Sequence, residues 1–103
     1  MLPLNTLQNQ VAIITGGGTG LGRAMALEFA KLGAKLVLAS RNPEHLEPAA
    51  AELRKSGAEV LAIPTDVRDP AQVDRMVQQT KERFGQVDIL VNNAAGNFVC
   101  KAE

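Results

Sequence analysis

The stretch Val11-Ala12-Ile13-Ile14-Thr15-Gly16-Gly17-Gly18-Thr19-Gly20-Leu21-Gly22 decides the architecture of this chain. Val11–Thr15 is an apolar run of strand length closed by glycines, the pattern of a strand buried on both faces. Leu21, Met25, Phe29 and Leu32 then recur at i, i+4, i+8 and i+11, which predicts a helical stripe, with Gly33 closing it as a C′ residue. The unit is therefore strand, glycine-rich turn, helix, and the pattern repeats outward from it. Leu36-Val37-Leu38-Ala39 is a second buried strand. Asn42 and Pro43 read as the N-cap and first residue of a second helix, with Leu46, Ala49, Ala50 and Leu53 on one side and Gly57 at its end. Pro48 inside that helix removes one backbone bond and predicts a bend or a delayed start.

Glu59–Ile63 is the third strand. Asp69, Pro70 and Gln72 then read as an N-cap, an N1 proline and a capping-box partner at N3. Val73, Met76, Val77, Thr80 and Phe84 line the third helix, which Gly85 stops, and Asp88–Asn92 is a fourth strand. The order βαβαβαβ predicts an α/β fold with a parallel sheet. With right-handed crossovers and the doubly wound order 3-2-1-4, the first two helices cover one face and the third lies alone on the other. Strand four is then expected to be an open edge, so the organisation reads as unfinished.

Composition excludes several function classes. The 103 residues carry 11 Lys and Arg against 11 Asp and Glu, so no strongly basic footprint for nucleic acid or membrane lipid is expected. Hydrophobic residues make up 46% and charged residues 21%, the balance of a globular domain rather than a disordered chain. A single cysteine, Cys100, allows no intrachain disulfide and no CxxC metal site; it reads as a buried thiol before a reactive one. His45 reads as a solvated helix residue, and no metal site is expected. The first ten residues lack the pattern of a secretory signal, and no apolar run approaches the roughly 18 residues of a membrane span. The expectation is an intracellular, soluble protein, cytoplasmic if bacterial.

The glycine-rich turn lies where a doubly wound fold binds the pyrophosphate of a dinucleotide: glycines admit the phosphates to the backbone, and the helix N-terminus offers N–H groups and a positive dipole end. The familiar G-x-G-x-x-G spacing is not met, because Leu21 occupies its last glycine position; the spacing that fits is T-G-x-x-x-G-x-G, through Thr15, Gly16, Gly20 and Gly22. A plain flexible turn is the alternative. About 20 residues further on, NAD-binding proteins present a carboxylate to the ribose 2′-hydroxyl. Here the second strand ends in Ala39-Ser40-Arg41. A guanidinium and a hydroxyl suit a 2′-phosphate, so NADP(H) is favoured over NAD(H), although Arg41 could also be a solvated loop cation.

With Asp66-Val67 and Asn92-Asn93-Ala94-Ala95-Gly96 added, the chain resembles the short-chain dehydrogenase/reductase family along nearly all its length. The resemblance implies the N-terminal βαβαβαβ portion of a Rossmann-type doubly wound parallel sheet. It also implies cofactor contacts from Gly16, Gly18, Thr19, Gly20, Leu21, Gly22, Ser40, Arg41, Asp66, Val67, Asn93, Ala94, Ala95 and Gly96. Asp66 would accept from the adenine amino group, while Asn93 would equally brace the sheet. Within the family the chain is most similar to the 2,4-dienoyl-CoA reductase group, through Gly16–Gly22, Ala39-Ser40-Arg41, Asp66–Pro70 and Asn93–Phe98. That similarity implies an acyl-CoA substrate, with Asn97 hydrogen-bonding the thioester oxygen and Arg68 and Phe98 along the CoA thioester; Asn97 could instead cap its loop. A fixed amide donor at that oxygen would stabilise the charge that hydride addition creates.

Family members rely on a later Tyr-x-x-x-Lys pair, and this sequence has no tyrosine. Residues 1–103 are therefore expected to be an incomplete dinucleotide-binding domain without its catalytic half; the parent would be a reductase and a homo-oligomer when complete. Two alternatives stay open: a 3-oxoacyl or other ketone/alcohol reductase of the same family, and a non-catalytic nucleotide-binding half-domain.

Overall fold

The computed structural model describes residues 7–16 and 20–92, and the backbone alone of 98–101. In chain order the elements are β1 (Val11–Thr15), α1 (Gly20–Lys31), β2 (Lys35–Ser40), α2 (Pro43–Lys55), β3 (Val60–Pro64), α3 (Pro70–Phe84), β4 (Ile89–Asn92) and β5 (Phe98–Lys101). Each predicted strand and helix forms, with boundaries moved by a residue or so.

One sheet runs in the order β3-β2-β1-β4-β5. β1 pairs in parallel with β2 and β4, aligning Ile13 with Val37 on one side and Leu90 on the other. β2 pairs in parallel with β3, aligning Leu38 with Ala62. Asp88 fixes the start of the β1–β4 pair: its carboxylate accepts from the Val11 N–H at 2.8 Å, and its own N–H donates to the Val11 carbonyl at 2.9 Å. All five residues of β1 are buried, and its first four are continuously apolar rather than alternating.

The two faces bury separate clusters, as the crossover argument predicts. Ala12, Ile14, Leu36 and Leu38 point to the side covered by α1 and α2, where Ala26, Leu46, Ala50 and Leu53 meet them. Ile13, Val37, Ala39 and Ile63 point the other way, onto Met76 of α3.

Three expectations need correction. β4 is not an open edge, because β5 pairs with it antiparallel, Leu90 opposite Cys100 and Asn92 opposite Phe98. Only residues 93–97 separate the two strands, a connection of hairpin length, whereas a parallel crossover needs about a dozen residues. Leu21 does not join the core stripe: it is 53% exposed, and α1 turns Gly22 and Ala26 inward instead. Leu21 stands one residue before Gly22, a rotation of about 100° away from that line on the helix. Of the two outcomes expected of Pro48, a bend or a delayed start, the delayed start does not occur: α2 starts at Pro43 with the Asn42 side chain accepting from the Glu44 N–H at 3.0 Å.

These faces predict a contrast in stability. Leu36→Ala, at a fully buried position, should cost about 2–5 kcal/mol in urea unfolding of the full-length protein. Leu21→Ala should stay within about 0.5 kcal/mol. Equal losses would contradict the inward line drawn through Gly22 and Ala26.

Candidate functional site

Parallel pairing sends the C-terminal ends of β1, β2 and β3 to the same rim. Two backbone bonds carry the ladder past the strands: the Gly16 N–H donates to the Ala39 carbonyl at 2.7 Å, and the Thr65 N–H donates to the Ser40 carbonyl at 2.8 Å. Gly16 holds this position at φ 67°, in the left-handed region that glycine tolerates best. Together Gly16, Ser40-Arg41-Asn42 and Thr65–Arg68 enclose a cavity of about 330 Å³. A larger concavity, about 660 Å³, lies between β3 and the Met76 side of α3, away from the glycine turn.

At the rim, the Ser40 hydroxyl accepts from the Asn42 N–H at 3.3 Å, which leaves its proton available to a ligand oxygen. Arg41 is exposed. Asp66, whose side chain is 26% exposed, meets Arg68 in a fork: Oδ1 accepts from the Arg68 backbone N–H at 2.9 Å and from Nε at 3.1 Å, and Oδ2 accepts from Nη2 at 3.2 Å. These bonds, reinforced by the nearby Arg41 charge, hold the Asp66 carboxyl below the ordinary carboxylate value of 3.8 and raise the Arg68 guanidinium. A carboxylate offers about four acceptor positions, so Arg68 leaves Asp66 one, on Oδ2.

The sequence missed the role of Gln72. A capping box would return its side chain to the N–H of Asp69. That N–H donates instead to the Asp66 carbonyl at 3.0 Å, and Gln72 Oε1 accepts from the Asp66 N–H at 2.9 Å while Nε2 donates to Asp69 Oδ2 at 3.2 Å. Pro70 opens the first turn with no N–H of its own, and Asp69 Oδ1 accepts from the Ala71 N–H at 3.0 Å. Thr15 and Asn92, quoted above within their motifs, also meet in space. They end β1 and β4 at the point where the strand order reverses, and the Thr15 hydroxyl reaches Asn92 Oδ1 at 3.2 Å and the Val91 carbonyl at 3.3 Å.

Of the residues singled out from sequence, the cavity brings together Gly16, Ser40, Arg41, Asp66, Val67 and Arg68. Gly20, Leu21 and Gly22 form the first turn of α1, with Gly20 at φ 58° and Gly22 buried. Gly18, Thr19, Asn93, Ala94, Ala95, Gly96 and Asn97 lie outside the described residues. Arg68 lies in the loop after β3, one edge strand of the sheet, and Phe98 opens β5, the other edge strand, with β2, β1 and β4 between them. Among the described residues no group of three or more His, Cys, Asp or Glu could hold a metal, and no helix is long and apolar enough to cross a membrane.

The Asp66 fork makes a direct prediction. By carboxylate NMR the Asp66 side chain should titrate below 3.8, and Arg68→Ala should raise it toward that value. Because the folded value is the depressed one, the stability it contributes is present above the unfolded value and is lost as pH falls through the folded one. No change in Arg68→Ala would mean that the fork does not persist in solution.

The short chain dehydrogenase family matches residues 10–103. The chain is 47% identical over 97 residues to a peroxisomal 2,4-dienoyl-CoA reductase [(3E)-enoyl-CoA-producing] of Danio rerio, covering 93% of this chain and 32% of that protein. Among solved structures, it is similar to L-sorbose reductase from Gluconobacter frateurii complexed with NADPH and L-sorbose: TM-score 0.82, 42% identity, 86% of this chain and 34% of the other. A short chain dehydrogenase/reductase from Burkholderia phymatum in complex with NAD gives TM-score 0.81 and 44% identity, over 82% of this chain and 30% of that one. The chain spans about a third of the length of the curated relatives it matches. The sheet order, the glycine turn after β1 and these matches agree: this chain belongs to the short chain dehydrogenase family, whose members are oxidoreductases.

Proposed function

We propose that residues 1–103 are the NADP(H)-binding part of a reductase that acts on an unsaturated fatty acyl-CoA of the 2,4-dienoyl type. The observation that carries the cofactor half is the charge at the end of β2. Where an NAD-binding chain would present a carboxylate to the ribose, Ser40 and Arg41 line the cavity, with an available hydroxyl proton and an exposed guanidinium. A carboxylate with one acceptor position left, Asp66, lies across from them and suits the amino group of an adenine. The glycine turn between β1 and α1 suits the pyrophosphate, through Gly16, Gly18, Thr19, Gly20, Leu21 and Gly22.

When bound, the nicotinamide supplies the hydride. The chain's own residues orient it and receive the charge that results. Val67 and Asn93–Gly96 border the adenosine half. Asn97 donates its amide N–H to the thioester oxygen, which gains negative charge as the hydride arrives. Arg68 and Phe98 are assigned to the acyl-CoA along its length, Arg68 following one edge strand of the sheet and Phe98 opening the other. The similarity to the Danio rerio reductase supports the same substrate class. A ketone or alcohol reductase of the family is the second reading, favoured by the likeness to the NADPH complex of L-sorbose reductase.

Two measurements test this reading. Arg41→Asp should weaken NADPH binding roughly 100-fold while changing NADH little, since about 3 kcal/mol of charge-assisted bonding is lost only with the 2′-phosphate. Equal losses for both would show that Arg41 does not read that phosphate. The full-length protein should also oxidise NADPH with a 2,4-dienoyl-CoA; turnover with ketones and with no dienoyl- or enoyl-CoA would select the second reading.

A further inference from the structure

The segment between β3 and α3 is held more firmly than a surface loop needs. Its chain enters through Thr65, which is 2% exposed and bonded to the Ser40 carbonyl. It closes through the Asp69 N–H on the Asp66 carbonyl at 3.0 Å. Gln72 then ties the two together, accepting from the Asp66 N–H at 2.9 Å and donating to Asp69 Oδ2 at 3.2 Å. Asp69 caps α3, and α3 is anchored to the sheet by Met76, which is 1% exposed. The Asp66 main chain is thus referred, through one amide side chain, to a helix packed on the core.

We propose that Gln72 is a positioning residue for the adenosine half of the nucleotide, acting through the Asp66 backbone to aim the one acceptor position that Arg68 leaves on the Asp66 carboxylate. This rests on the reading of the cavity as the adenosine site. The division of labour follows from the geometry. Arg68 fixes the carboxylate about its side-chain torsions, but it belongs to the same loop and moves with it. Gln72 relates the loop to α3, which packs on the sheet. A single remaining acceptor is directional, and a binding group must be held to within roughly 0.5 Å and 10–20° to keep its bond. The side-chain hydrogen bonds of Gln72 go to Asp66 and Asp69 and not to Arg41 or Ser40, so its influence should not depend on the 2′-phosphate.

The test is calorimetric binding to the full-length protein with three ligands: 5′-AMP, 2′,5′-ADP, and nicotinamide mononucleotide, which has no adenine. Gln72→Met removes both hydrogen bonds at similar volume. It should raise the Kd of 5′-AMP and of 2′,5′-ADP by the same factor, about 3- to 10-fold, the loss of one or two net hydrogen bonds. The mononucleotide should be unaffected.

A polarity swap provides the rescue. Gln72→Glu alone keeps an acceptor for the Asp66 N–H but sets a carboxylate against Asp69, and should weaken both adenine ligands. Adding Asp69→Asn supplies an amide donor to that carboxylate while its oxygen still caps Ala71, and affinity should return to within about 2-fold of wild type. A lowered Tm in Gln72→Met with both adenine Kd values unchanged would make Gln72 a helix cap only and overturn the proposal. If Gln72→Met does not fold, the swap decides: failure to recover affinity over Gln72→Glu alone overturns it. Wild-type protein that binds neither adenine ligand would instead sink the adenosine-site reading, and this proposal with it.

Discussion

Everything in this structure depends on β1 being buried on both faces between two parallel neighbours. Burial on both sides is why Val11–Ile14 is continuously apolar, and why α1 and α2 must occupy one face while α3 takes the other. Parallel pairing on both sides forces the chain to return to the same end after each strand. Every βα turn therefore opens at one rim, and the residues of three separate turns meet there without any contact between them in sequence. Asp88 holds the opposite end of β1 against β4, so the register that aligns those turns is set by a backbone and side-chain pair as well as by packing.

The rim is electrostatically uneven. Arg41 and Arg68 flank a single carboxylate, Asp66, and its ionised form is favoured by Arg68 first and by Arg41 after it. All three groups are solvent-accessible, so their mutual attraction is screened and adds little to stability. Its consequence is geometric: it fixes which lone pairs of Asp66 remain free. The apolar clusters do the stabilising, and the charges decide what the cavity accepts.

Much of this was legible in the sequence because the signals are local. The strand Leu36–Ala39 reads from its continuous apolar run, the start of α2 from Asn42-Pro43, and the end of α3 from Gly85, which takes φ 85°. Leu21 misled because helical spacing alone does not say which of two adjacent stripes faces the sheet; the small residues Gly22 and Ala26 take that side. Strand β5 was missed for a different reason. A four-residue segment such as Phe98–Lys101 has no periodicity to read, and its strand character comes from the free edge of β4 beside it. Gln72 fits a capping-box pattern, and only the competing bond from the Asp69 N–H to the Asp66 carbonyl shows where its side chain goes instead.

The sequence by itself determined the order of strands and helices, the glycine turn after β1, and the absence of a carboxylate at the end of β2. Each of these is written in adjacent residues, where propensity, capping and apolar period act directly. The tertiary structure alone decided that Gly16, Arg41 and Asp66 share one cavity, that Asp66 is gripped by Arg68, and that Arg68 and Phe98 stand at opposite edges of the sheet. Those facts follow from which strands pair and how far each turn reaches. Strand pairing brings together residues far apart in the chain, and no local pattern records it.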